Sequence, residues 1–193
     1  TIQERSDKEI VAAAVKCNGM ALEFASEKLR NDKDIVMAAV SDRGLALQFA
    51  SETLREDRDI VKRALSHSIG QSTYRFASAQ LRDDEEIFLQ AIKQYPQALL
   101  FASSRIQSNK ELVIQALLQN GMQLQYASPI LQKNMEVVMT AIGQSPQSLQ
   151  FASKTLRKNK TCVTAAISKD GFALQFASDK IRGDIKFVLL SIE

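Results

Sequence analysis

Apolar and polar positions along this chain recur with a long period. An aromatic-Ala-Ser triplet returns at Phe24, Phe49, Phe76, Phe101, Tyr126, Phe151 and Phe176, in steps of 25, 27, 25, 25, 25 and 25 residues. Two positions before each aromatic stands Leu22, Leu47, Tyr74, Leu99, Leu124, Leu149 or Leu174, and five after it Leu29, Leu54, Leu81, Ile106, Leu131, Leu156 or Ile181. That spacing fits one face of a helix and predicts that the aromatic ring belongs to the core. Eight positions after the aromatic the residue is Asp32, Asp57, Asp84, Asn109, Asn134, Asn159 or Asp184. These side chains accept the free amides of a helix start. Acids two residues later, such as Asp34, Glu86 and Glu136, suit the positive end of the helix dipole. Apolar pairs follow, such as Ile35 with Val36 and Ala39 with Val40, and predict a second amphipathic helix.

The first helix opens at a column of breakers, Gly19, Gly44, Pro96, Gly121, Pro146 and Gly171. Each repeat is expected to hold one helix of about 11 residues and one of about 10, roughly 15 Å long each. Helices this short do not stand alone in water, so stability has to come from stacking. The expected fold is all-α, an α-solenoid of tandem 25-residue two-helix (helical hairpin) repeats. It forms one array over 1–193, with a half repeat at 1–18 and repeats starting near 19, 44, 70, 96, 121, 146 and 171. Both ends match the second helix, with Ile10 and Val11 at the start and Phe187, Val188 and Ile192 at the close. Flanking repeats or domains are therefore expected, the chain being a piece of a longer protein. Two extra residues at His67–Ser72 lengthen one turn between repeats.

Four columns offer candidate chemistry or contact. The Ala column, from Ala25 to Ala177, predicts close packing and a local unfolding on Ala102→Leu. The Ser column, from Ser26 to Ser178, does not make seven nucleophiles, because a catalytic serine needs a positioned base and His67 is the only histidine. Its hydroxyls are expected to bond the preceding turn of backbone. Arg30, Arg55, Arg82, Arg157 and Arg182, with Gln107 and Gln132 in two repeats, form a ladder that could grip phosphates, but they lie at a helix C-terminus two residues before the caps, and pairing with the caps is the favoured expectation. The residue before each aromatic, Gln48, Arg75, Leu100, Gln125, Gln150 and Gln175, is expected to face outward as the candidate partner-binding surface.

Composition removes several function classes. Net charge is +3, from 25 basic against 22 acidic residues, which gives no polyanion-binding field. With the aromatics assigned to the core, base stacking has no platform, and nucleic acid is disfavoured. Cys17 and Cys162 stand apart with one histidine, too few ligands for a zinc site or a disulfide framework, and fit a reducing, intracellular setting. No apolar run reaches the roughly 18 residues of a membrane span. The expectation is no enzyme, no catalytic residue, no cofactor and no metal.

The consensus G-x-A-L-x-F-A-S-x-x-L-R-x-D-x-x-I-V, carried closely by Gly44 to Val61, resembles the repeats known as domain of unknown function 4116. The third repeat departs from it at Tyr74 and at the insertion, and others at Gln and Asn. The resemblance implies an interaction region of a secreted bacterial effector acting in a host cytoplasm, and no chemistry. The leading expectation is a module binding a protein partner of unknown identity. The alternatives are a spacer or regulatory region of a larger effector enzyme and, less favoured, a nucleic-acid-binding solenoid.

Overall fold

The computed structural model describes residues 7–67 and 72–184. The insertion residues 68–71 and the terminal helix expected from Phe187 to Ile192 lie outside the described residues. Within the described residues every regular element is helical and no strand occurs. The chain is an all-α repeat solenoid, and it divides into two compact units, residues 1–103 and 104–193.

The second helix of each repeat forms where its cap predicts. Asp32 accepts from the amides of Asp34 and Ile35 at 3.1 and 3.2 Å and starts the helix Lys33–Asp42. Asn134 does the same for Met135–Gln144 through the Val137 amide at 3.2 Å. The apolar pairs of these helices are fully covered, as at Val36, Ala39, Val138 and Ala141.

The first half of the repeat differs from the expected continuous helix. Gly19–Phe24 is a 3-10 helix, Ala25 and Ser26 are extended, and Glu27–Arg30 is a separate single turn. The same break recurs at Ala50 (φ −66°, ψ 153°) and Ala152 (φ −66°, ψ 152°). The physical reason is a bond between repeats. In every junction within a unit the Ser amide donates to the carbonyl of the Arg or Gln one repeat earlier, as Ser51 to Arg30 (2.9 Å), Ser78 to Arg55 (3.0 Å), Ser128 to Gln107 (2.9 Å) and Ser178 to Arg157 (3.0 Å). An amide turned sideways onto the neighbouring repeat cannot continue an intrahelical ladder. The 3-10 segment has three residues per turn, so Gly19, Leu22 and Ala25 fall on one buried line.

Each element stacks on its equivalent in the next repeat. In the N-terminal unit Lys8–Cys17, Lys33–Asp42, Arg58–Ser66 and Glu85–Gln94 pack in sequence, and in the C-terminal unit Lys110–Gln119, Met135–Gln144 and Lys160–Ile167 do so. The 3-10 segments form a second layer. Gly19 and Gly121 set the distance between layers, because a Cβ there would lie 2.2 Å from the Ala39 carbonyl oxygen and 2.3 Å from that of Ala141. The third repeat repacks this core: Tyr74 replaces the usual Leu, meets Phe88 at 6.3 Å between ring centroids, and donates its hydroxyl to the Arg82 carbonyl at 2.7 Å.

Candidate functional site

The break after each aromatic decides where the ring goes. Because the 3-10 segment ends at the aromatic and the next two residues are extended, Leu22, Leu47, Leu99, Leu124 and Leu149 are fully buried while the rings stand at the surface. Phe24 is 59% exposed, and Phe49, Phe76, Phe101, Tyr126, Phe151 and Phe176 are half-buried. The expected core column is thus a surface row, and with it falls the sequence argument that no aromatic is free to stack. Two signals pointed this way: Ser is a preferred helix N-cap, and Tyr126 brings a hydroxyl into the column.

Between consecutive repeats the rings line clefts of one plan. Arg30, Phe49, Ser51 and Arg55 line a cleft of about 400 Å³ together with Glu27 and Glu52. One repeat on, Arg55, Phe76, Ser78 and Arg82 line one of about 310 Å³, with Arg75, Glu52 and Glu56 at its walls. In the C-terminal unit Gln107, Tyr126, Ser128 and Gln132 line one of about 550 Å³ with no charged residue.

The Ser and Arg columns take other roles than expected. Ser51, Ser78 and Ser153 accept from the amides three residues ahead, at 3.2 to 3.3 Å, and so cap the short turn instead of bonding backward. Ser51 also donates to Asn31 (2.6 Å), and Ser103 to Asp83. The Arg side chains do not pair with the caps two residues on. The caps pair one repeat back, Lys8 with Asp32 and Lys33 with Asp57 at 2.6 Å, and Arg58 with both Asp84 and Glu86. The Lys8 hydrogen bond holds the Asp32 carboxyl below the usual carboxylate range. Arg58 does the same for Asp84. Burial works to raise Asp57, yet its Lys33 and amide bonds hold it low.

In the cleft row Arg82 donates to the Phe101 carbonyl at 3.2 Å, and Gln132 to the carbonyls of Leu124 and Ala127 at 3.1 Å. The Nε atoms of Arg30, Arg55, Arg82 and Arg157 are buried without a hydrogen-bond partner. Of the predicted surface column, Arg75, Leu100, Gln125 and Gln175 are exposed, and Gln48 and Gln150 are half-buried. Gln125 and Gln150 turn their amides onto Met122 and Gln147 carbonyls of their own 3-10 segments (3.2 and 3.1 Å). Arg75 instead lies over the Phe76 ring, 4.5 Å from its centroid. Among the described residues no three His, Cys, Asp or Glu side chains converge as metal ligands, and no helix is long and apolar enough to cross a membrane.

Fold and cleft row together define a helical-repeat module whose surface is built by repetition. The chain belongs to the family described as Domain of unknown function (DUF4116), which matches residues 7–55, 40–82, 57–107, 109–157 and 159–193. No curated protein matches the chain. No solved structure does either.

Proposed function

We propose that this chain is a non-enzymatic module that binds a protein partner along the row of clefts, as part of a larger effector-like protein. The observation that carries the reading is the recurrence of a half-exposed aromatic ring flanked by Arg or Gln at the same place in two successive repeats of the N-terminal unit and again in the C-terminal unit. Aromatic rings beside adaptable polar donors are the side chains that anchor extended peptides. Acidic rims at Glu27, Glu52 and Glu56 favour a peptide over a polyanion.

The test is selection from a displayed peptide library with the whole chain, followed by Phe49→Ala with Tyr126→Ala. Binding should fall at least tenfold in the double variant and be unchanged in Lys93→Ala, on the exposed side of a long helix. Enriched peptides indifferent to the double variant would place the partner elsewhere; no enrichment at all would favour the spacer reading.

Single-stranded nucleic acid is the second reading, favoured by rings standing beside arginines in the N-terminal unit. It predicts an affinity that falls steeply and linearly on a log–log salt plot. Absence of turnover across ester, phosphoester and peptide substrates is expected of the isolated chain; turnover that co-purifies with it and dies on unfolding would refute the non-enzymatic part.

A further inference from the structure

Resting on the peptide-binding reading, we infer that the cleft between Arg55 and Arg82 is an oxyanion site that takes a phosphorylated side chain of the partner. Three arginines meet there, Arg55, Arg75 and Arg82, against two glutamates, Glu52 and Glu56. The cleft one repeat earlier balances Arg30 and Arg55 against Glu27 and Glu52, and that of the C-terminal unit carries no charge. The surplus comes from Arg75, which stands where the equivalent cleft-lining position in the C-terminal unit holds Gln125.

These arginines are available, unlike Arg58 on the long helix Arg58–Ser66. Arg58 is taken up by Asp84 and Glu86. Arg55 has Glu52 no closer than 3.8 Å, with the Glu52 side chain 92% exposed at the rim. Arg82 spends one Nη on a neutral carbonyl, and its Nε, like that of Arg55, is buried with no acceptor. Arg75 lies over the Phe76 ring, a contact with the ring face that spends none of its N–H donors. Several forked donors around a small polar cavity suit the three oxygens and near-double charge of a phosphate better than a single carboxylate. The Ser78 and Phe76 walls would accommodate the peptide on either side of it.

The experiment uses the whole chain and three probes: a pentapeptide with one phosphoserine among glycines, the same peptide with Glu in its place, and a ten-residue oligothymidylate. The readout is the ¹H–¹⁵N shift of the arginine Nε–Hε resonances. The phosphopeptide is expected to shift those of Arg55, Arg75 and Arg82 saturably, and to bind about tenfold more weakly to Arg75→Gln or Arg82→Gln, each the loss of a charged hydrogen bond. Glutamine already occupies both columns elsewhere in this chain, so the variants are expected to fold, and unchanged amide spectra away from the cleft check this. Lack of saturation, equal binding by Arg75→Gln, equal affinity for the Glu peptide, or tighter binding of the oligonucleotide would each overturn the inference. Library peptides that bind the chain while the phosphopeptide does not saturate would overturn it alone and leave the peptide-binding reading standing.

Discussion

The N-terminal unit builds its repeat from charges, and the C-terminal unit builds the same repeat largely from amides. In residues 7–103 the long helices are capped by Asp7, Asp32, Asp57 and Asp84, and the cleft row carries Arg30, Arg55 and Arg82. In the C-terminal unit the long-helix caps are Asn109, Asn134 and Asn159, and Gln107 and Gln132 stand in the cleft row before Arg157 and Arg182 restore the arginine. Backbone geometry is indifferent to the exchange: the Asp57 and Asn159 caps have φ of −73° and −81°, with ψ of 114° and 120°. A cap needs only an acceptor oxygen, which both side chains supply. The difference therefore resides in what the surface offers a ligand and in how the units respond to pH.

The features shared by both units carry the largest expected effects. Gly19→Ala and Gly121→Ala each drive a Cβ into a backbone carbonyl, and each should cost about 3 kcal/mol, the upper end of overpacking. A variant of either that melts like the parent would show that the layer spacing is not fixed there. Ala50→Leu and Ala127→Leu, at positions 6% and 5% exposed, should cost about 1–3 kcal/mol in denaturant titration. Ala102, expected to be as tight, is only half-buried, so Ala102→Leu should fall below both.

Acid should separate the units. Asp32, Asp57 and Asp84 have folded-state values below their ordinary ones, so their contribution is complete above the normal carboxylate range and lost as pH falls through the folded values. The Asn caps do not titrate. Amide-exchange protection of Lys33–Asp42 and Arg58–Ser66 should drop relative to Met135–Gln144 from roughly pH 4 downward; parallel loss in both units would remove the role assigned to the Asp ladder. The third repeat offers a local contrast, since Tyr74→Phe removes one of the two donors to the Arg82 carbonyl and leaves it the Ser103 amide, at a loss of about 1 kcal/mol. A smaller change of opposite sign is expected for Gly143→Ala, where a Cβ meets nothing within 4 Å in a helix, and stability should rise by about 0.5–1 kcal/mol.

Period, helical class, caps and the long-helix core were legible in the sequence because each depends on residues within one or two turns. An Asp or Asn before a 3.6-residue apolar pattern has few other local uses, and Asp32 and Asn134 cap as read. The first half-repeat was ambiguous for an equally physical reason. Leu22 and Leu29, seven apart, are buried on one face whether the backbone between them is one α-helix or a 3-10 turn, an extended pair and a second turn. The choice between these falls to the Ser51-to-Arg30 bond and its equivalents, which join residues about a repeat apart and leave no mark on local periodicity. The same bond places Phe49, Phe76 and Tyr126 at the surface and makes the clefts. The sequence alone determined the repeat and its caps, through interactions that are local. Only the stacking of one repeat on the next decided which face carries the aromatic row, because the hydrogen bond that orients it has its acceptor in a different repeat.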